Sequence, residues 1–170
     1  MITTTTTHNG AILRDNLLEL SSTWEWAEAK REWQLECVYL LDRRDPPGKC
    51  LCSHSPIREL CVLRNAETGH SAVVGNVCVK QFLGLDTDDI VNSLRRVRDR
   101  PDAASLSAAA ARYAHGRGWL TEWELGFCLD NARRRKLSAG RRAKRSEINR
   151  TVVVRMRLDA THFLNEEDAQ

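Results

Sequence analysis

Cys50, Cys52, Cys61 and Cys78, four of the six cysteines, fall in one stretch of the chain together with His54 and His70. Thiolates and imidazoles gathered at short spacing are the ligand chemistry of zinc, which takes four of them at about 2.0–2.3 Å in a tetrahedral arrangement. Cys50, Cys52 and His54 place three donors within five residues, and Cys78 offers a fourth from a separate element. These four are the preferred metal ligands. Cys61 is the alternate for the fourth place, because neighbouring Leu60 and Val62 turn it to the other side of its strand, and His70 is a weaker alternative. Cysteines clustered in this way in a reducing compartment point to a metal rather than to disulfides. Cys37 and Cys128 lie outside the cluster and are expected to pack as small hydrophobes.

The elements that must position these donors are legible in part. Asp45, Pro46, Pro47 and Gly48 break any regular structure before Cys50, so the first three ligands sit on a loop. Residues 57–63 read as a strand, 65–69 as a turn and 70–74 as the return strand, giving a hairpin. A short helix from about Val77 to Gly84 then begins beside Cys78. Upstream, Ser22 and Glu25 have the spacing of a capping box for a helix running to about Trp33, preceded by a shorter helix over residues 12–20. Residues 34–41 are expected to form a strand that feeds the metal loop.

Downstream the pattern is helical. Ile90, Leu94 and Val97 share one face, with Asp86 or Thr87 as cap, and Leu106, Ala109, Ala110 and Tyr113 share another. Thr121 and Glu124 form a second capping box, and Ser138 caps a last helix whose buried face is Ile148, Val152 and Met156. The run Val152–Val153–Val154 also suits a strand. The fold class is therefore α+β, mostly helical, with a central zinc-bound β-hairpin. Its expected organisation is a disordered N-terminus (1–9), a helix plus zinc-binding hairpin module (10–100), a basic helical module (101–164) and an acidic tail (165–170).

Formal net charge is only +3, but it is unevenly spread. Arg133, Arg134, Arg135, Lys136, Arg141, Arg142, Lys144, Arg145 and Arg150 crowd one segment with Glu147 as its sole acid. Such a segment tracks phosphates with salt-sensitive, weakly sequence-specific affinity. The first eight of these are the candidate nucleic-acid contacts, and Arg95, Arg96, Arg98 and Arg100 extend the patch if their helix lies alongside. An acidic protein surface is the other partner such a patch fits. Of the five tryptophans, one or two are expected at the surface, where they could stack on unpaired bases. No apolar run approaches the ~20 residues of a membrane span, and the N-terminal threonine run is no signal peptide, so a cytoplasmic protein is expected.

The run C-x-C-x-H, the strand C-V-L-R-N, T-G at the turn and V-G-N-x-C-V-x-x-F resemble a short treble-clef-like zinc-binding segment of uncharacterised phage and bacterial proteins. The resemblance covers about residues 32–84, and Ser53 stands where those segments carry glycine. It implies a loop, hairpin and helix gathered round one zinc ion, and a regulatory or accessory role in phage biology. Treble-clef sites also occur in small metal-dependent nucleases, where a strand histidine and a helix histidine or asparagine hold a divalent ion. His70 and Asn76 are the residues that could imitate that pair. The chain has no phosphate-binding glycine loop, nucleophile elbow or HExxH motif. The expectation is a non-enzymatic zinc protein that binds DNA or RNA; the alternatives are a module that inhibits or redirects a host protein and a small nuclease.

Overall fold

The computed structural model describes residues 8–85 and 87–167, and the chain divides into two compact units, Met1–Thr87 and Asp88–Gln170. The fold class is α+β, as expected. The boundary falls earlier than the expected 100/101, because the helix over Asp88–Asp99 buries Val91, Leu94 and Val97 against the downstream helices rather than against the hairpin.

In the first unit, α1 (His8–Glu19) and α2 (Trp26–Glu32) precede a three-stranded antiparallel sheet in the order β1 (Trp33–Leu40), β2 (Glu59–Asn65), β3 (Ser71–Gly75). The expected disorder over 1–9 meets a helix already under way at His8 and Asn9; residues 1–7 lie outside the described residues. The register runs from Trp33 opposite Asn65 to Leu40 opposite Glu59, with a bulge at Glu36, and from Leu60 opposite Gly75 to Arg64 opposite Ser71. Both faces of β2 are covered, since Leu60, Cys61, Val62 and Leu63 are all buried. A central strand of successive apolar residues is the pattern such burial requires.

Ser22 does not cap α2. The N-cap is Glu25, which makes no side-chain cap bond, and Trp33 already belongs to β1. Ser22 is held instead by the buried Glu32 carboxylate, which accepts from the Ser22 amide (2.9 Å), the Ser22 hydroxyl (2.7 Å) and the Asn65 side-chain amide (2.7 Å). Asn65 Oδ1 in turn accepts from the amides of Glu67 and Thr68 (both 2.9 Å), fixing the hairpin turn. One carboxylate at the end of α2 thus fastens the α1–α2 connection to the β2–β3 turn.

Residues 48–57 form a loop within the longer connection between β1 and β2. It is pinched shut at its base, where Gly48 and Ile57 exchange two backbone bonds of 2.9 Å. A side chain at position 48 would have to occupy the space already filled by the Leu60 side chain. After β3 comes α3 (Asn76–Cys78), continued by a π-helical turn over Val79–Leu83 and ended by Gly84 in the left-handed region at φ +70°.

The second unit is four helices: α4 (Asp88–Asp99), α5 (Ala108–Gly116), α6 (Glu122–Asn131) and α7 (Ala139–Glu167). Its core joins Val91, Leu94 and Val97 to Ala110, Ala111 and Ala114, with Trp119, Leu120, Ile148, Val152 and Ala160 also buried. The Thr121–Glu124 capping box of α6 forms as expected. Residues 152–154 are helical, so α7 runs unbroken for 29 residues and carries 165–167 with it; residues 168–170 lie outside the described residues. Asn149 on α7 donates to the carbonyls of Pro101 (2.7 Å) and Ala104 (2.8 Å), tying down the α4–α5 connection. At the far end Asp159 accepts from Arg117 (2.8 Å) and from the Trp119 indole (3.1 Å). Among the described residues no helix is long and apolar enough to cross a membrane.

Candidate metal centre

The loop and α3 bring three thiols together. The sulfur atoms of Cys50, Cys52 and Cys78 all lie within 4.8 Å of one another, and those of Cys52 and Cys78 are 3.6 Å apart. Two ligands at about 2.3 Å from a tetrahedral ion stand about 3.8 Å from each other, whereas a disulfide requires about 2.05 Å. The spacing is that of thiolates sharing an ion, and the three residues could hold one.

Local backbone geometry produces this. Leu51 N–H donates to the Val73 carbonyl (2.9 Å), which lays the loop against β3. The Cys50 amide donates to the carbonyl of His54 (2.9 Å) and the Ser53 amide to the carbonyl of Cys50 (2.8 Å), closing a tight turn. Ser53 adopts φ +72°, the left-handed region that glycine enters without penalty. The turn expected of a glycine is therefore made in full by a serine. Gly75 N–H points at Cys50 Sγ (3.2 Å), and the amides of Cys52 and His54 donate to Cys50 and Cys52 sulfur. Amide donors around sulfur favour the charged, metal-binding form.

The electrostatics show what three crowded thiols do without a cation. The proton donated by Cys78, together with the Gly75 amide, draws Cys50 down to about 5 against the opposing effect of burial. Sharing with the Cys50 thiolate pushes Cys78 well up, and burial pushes Cys52 up. Crowding therefore favours ionisation of one thiol and opposes ionisation of the other two. A divalent cation would reverse that ordering, since coordination deprotonates a thiol outright.

The remaining expected ligands stand apart. His54 is exposed and its ring does not join the three sulfurs, although it lines the same cavity of about 410 Å³ with Cys50, Cys52, Cys78, Glu59 and Phe82. The alternate ligand Cys61 is fully buried on β2 and hydrogen-bonded to the Thr87 side chain, and burial pushes its thiol up to about 12. His70 and Asn76 sit beyond opposite ends of β3, about 20 Å apart along a strand of that length, too far to share an ion. His70 Nδ1 lies 3.1 Å from the Leu20 carbonyl, while Asn76 Oδ1 accepts from the Thr87 hydroxyl. Sequence spacing gave no sign of the Gly75 amide. A backbone donor has no residue type to read, and only the short distance from β3 to Cys78 hints that the strand end must pass the sulfurs.

The basic residues lie in the second unit. Arg133, Arg134, Arg135 and Lys136 occupy the turn between α6 and α7, and Arg141 and Arg142 the first turn of α7; all six are exposed. Lys144 is half-buried. Arg145 is turned inward, its guanidinium bonded to Ser105 (3.1 Å) with Nε buried and unpartnered. Arg96 and Arg100 line a cleft with Ala132, immediately before Arg133, whereas Arg98 is paired with Asp99 (3.0 Å) and Arg95 donates to Asn92 (2.9 Å). Cys37 and Cys128 are buried, as small hydrophobes would be. No family model, curated protein or solved structure matches the chain.

Proposed function

We propose that the protein is a non-enzymatic zinc protein that binds nucleic acid, with zinc held by Cys50, Cys52 and Cys78 and completed by His54. The observation that carries the metal is the set of three sulfurs at ligand spacing. Zinc suits a donor set of thiolates and one imidazole, and needs no redox partner. His54 is the candidate for the fourth place because it lies on the same tight turn, its side chain is free of burial, and it lines the same cavity. Loop, hairpin and short helix would then meet at one ion in the treble-clef manner. The role of the ion is structural: it would hold a ten-residue loop and α3 to the sheet.

The nucleic-acid reading rests on the second unit. Six exposed basic side chains at and after the α6–α7 turn, with Arg96 and Arg100 beside them, form a predominantly basic surface suited to phosphates. A phage-type regulatory or accessory role is the setting this reading proposes.

Metal analysis of protein purified without added chelator tests the first part. One zinc per chain is expected, with loss of the metal in Cys50→Ser and Cys78→Ser and its retention in Cys61→Ser. Weaker zinc retention in a chelator titration is expected for His54→Ala. A chain without stoichiometric metal, or Cys50→Ser that keeps its zinc, would overturn the assignment.

A further inference from the structure

Two tryptophans are largely exposed among the described residues, and one of them is set into the basic unit. Trp123, on the first turn of α6, is 62 % exposed. Its ring stacks on Phe127 one turn later, with centroids 5.7 Å apart and planes 24° from parallel. Lys144 of α7, which is ion-paired to Glu147 (2.9 Å), places its ammonium over the Trp123 ring, 5.3 Å from the centroid. Trp33 and Trp119 are buried, with their indole N–H groups donating to Ser21 and Asp159, so they belong to the framework. Trp123 is not committed in that way. An indole held flat by a second ring and left facing water incurs a hydration cost that an added aromatic plane would relieve.

The surroundings specify the plane. Lys144 sits one helical turn from Arg141, which reaches back to Asn131 at the other end of α6 (3.2 Å), and Arg134 folds onto the same helix end. Cations therefore run along the α6–α7 seam from the stacked rings to the arginine turn. An aromatic shelf at one end of a line of phosphate-seeking side chains is the arrangement by which proteins hold unpaired bases, each stacked base contributing without regard to sequence. A duplex hides its bases within the stack and offers such a shelf nothing.

We propose that Trp123, stacked on Phe127 and flanked by Lys144, is a nucleobase platform that gives the protein a preference for single-stranded over double-stranded nucleic acid. This rests on the basic turn binding phosphates, and it adds the part of the ligand that phosphates do not specify.

Fluorescence anisotropy of the zinc-loaded full chain with an oligothymidylate, an abasic oligonucleotide of the same length and a random duplex tests it. Trp123→Ala should weaken oligothymidylate binding by roughly five- to a hundredfold and leave the abasic and duplex affinities unchanged. Trp123→Phe, which keeps a ring, should recover most of the loss. Equal oligothymidylate affinity for the parent protein and Trp123→Ala would overturn the platform while leaving the phosphate reading intact. A parent protein that binds none of the three ligands at low salt would remove both. A Trp123→Ala loss that extends equally to the abasic strand and the duplex would also overturn it, since stacking cannot act on a ligand without accessible bases.

Discussion

Glu32 shows how much can hang on a single side chain. Burial alone would raise its carboxyl, but hydrogen bonds from Ser22 and Asn65 outweigh that and hold it below the usual carboxylate range. A group depressed in the folded state stabilises fully above its unfolded pKa, and its contribution is lost as pH falls through the folded value. Glu32→Ala is expected to destabilise the first unit by about 1–3 kcal/mol, because the buried Asn65 amide is left as an unsatisfied donor. Urea denaturation at neutral pH measures the loss, and the difference from the parent should shrink in acid, where the parent carboxyl is itself protonated. Equal stabilities at neutral pH would rule this network out as a fastener. Glu32 was not legible as a network residue. Its partners lie 10 and 33 positions away, and Ser22 offered a local use of its hydroxyl, as a helix cap, that the structure sets aside. The cysteines were more legible, since thiol spacing carries its chemistry in the residue types. The ring of His54 is a side-chain rotation that no spacing encodes.

Among the elements, the 48–57 loop is the one that a metal at Cys50, Cys52 and Cys78 would order. The sheet has its own backbone ladders, whereas the loop is held by the Gly48–Ile57 pair at its base and, at its middle, by the Leu51–Val73 bond and the Asn16 side-chain amide, which donates to the Leu51 carbonyl (2.8 Å). Segments with few buried contacts open locally without global unfolding. Removing the metal with a chelator is therefore expected to raise hydrogen exchange of the Cys50–Ser53 amides by at least about tenfold, while β1 and β2 amides keep their protection. Exchange followed by mass spectrometry decides this, and uniform protection before and after chelation would show that the loop stands without a metal. The hairpin was readable from alternation and turn residues to within about two positions. β1 was readable too, as the continuation past Trp33. The N-terminal helix start at His8 was hidden by the threonine run before it, and the full length of α7 by three consecutive valines, whose strand preference yields to the burial of Val152 between Ile148 and Met156.

For the molecule as a whole, charge placement matters more than the net value of +3. If the six exposed basic residues of the α6–α7 region meet phosphates, log K for nucleic-acid binding should fall against log salt with a slope of about −3 to −6. Arg134→Glu combined with Arg135→Glu should flatten that slope by about 2. A binding constant insensitive to salt would assign the basic turn to an acidic protein or to solvation alone. The division into two units was less legible than the charge: α4 follows the hairpin closely in sequence, and only the burial of Val91, Leu94 and Val97 assigns it to the helical unit. The long helix α7 adds a consequence for recognition. Its first turns carry Arg141 and Lys144, and about 22 Å further along Asp159 is moored to Arg117 and Trp119. A spar fixed at one end and packed along its length does not have to fold when a ligand arrives. If that ligand is a nucleic-acid strand, the entropy surrendered on capture would be confined to the tips of lysines and arginines, and a modest number of cations would grip a flexible partner without first having to tame themselves.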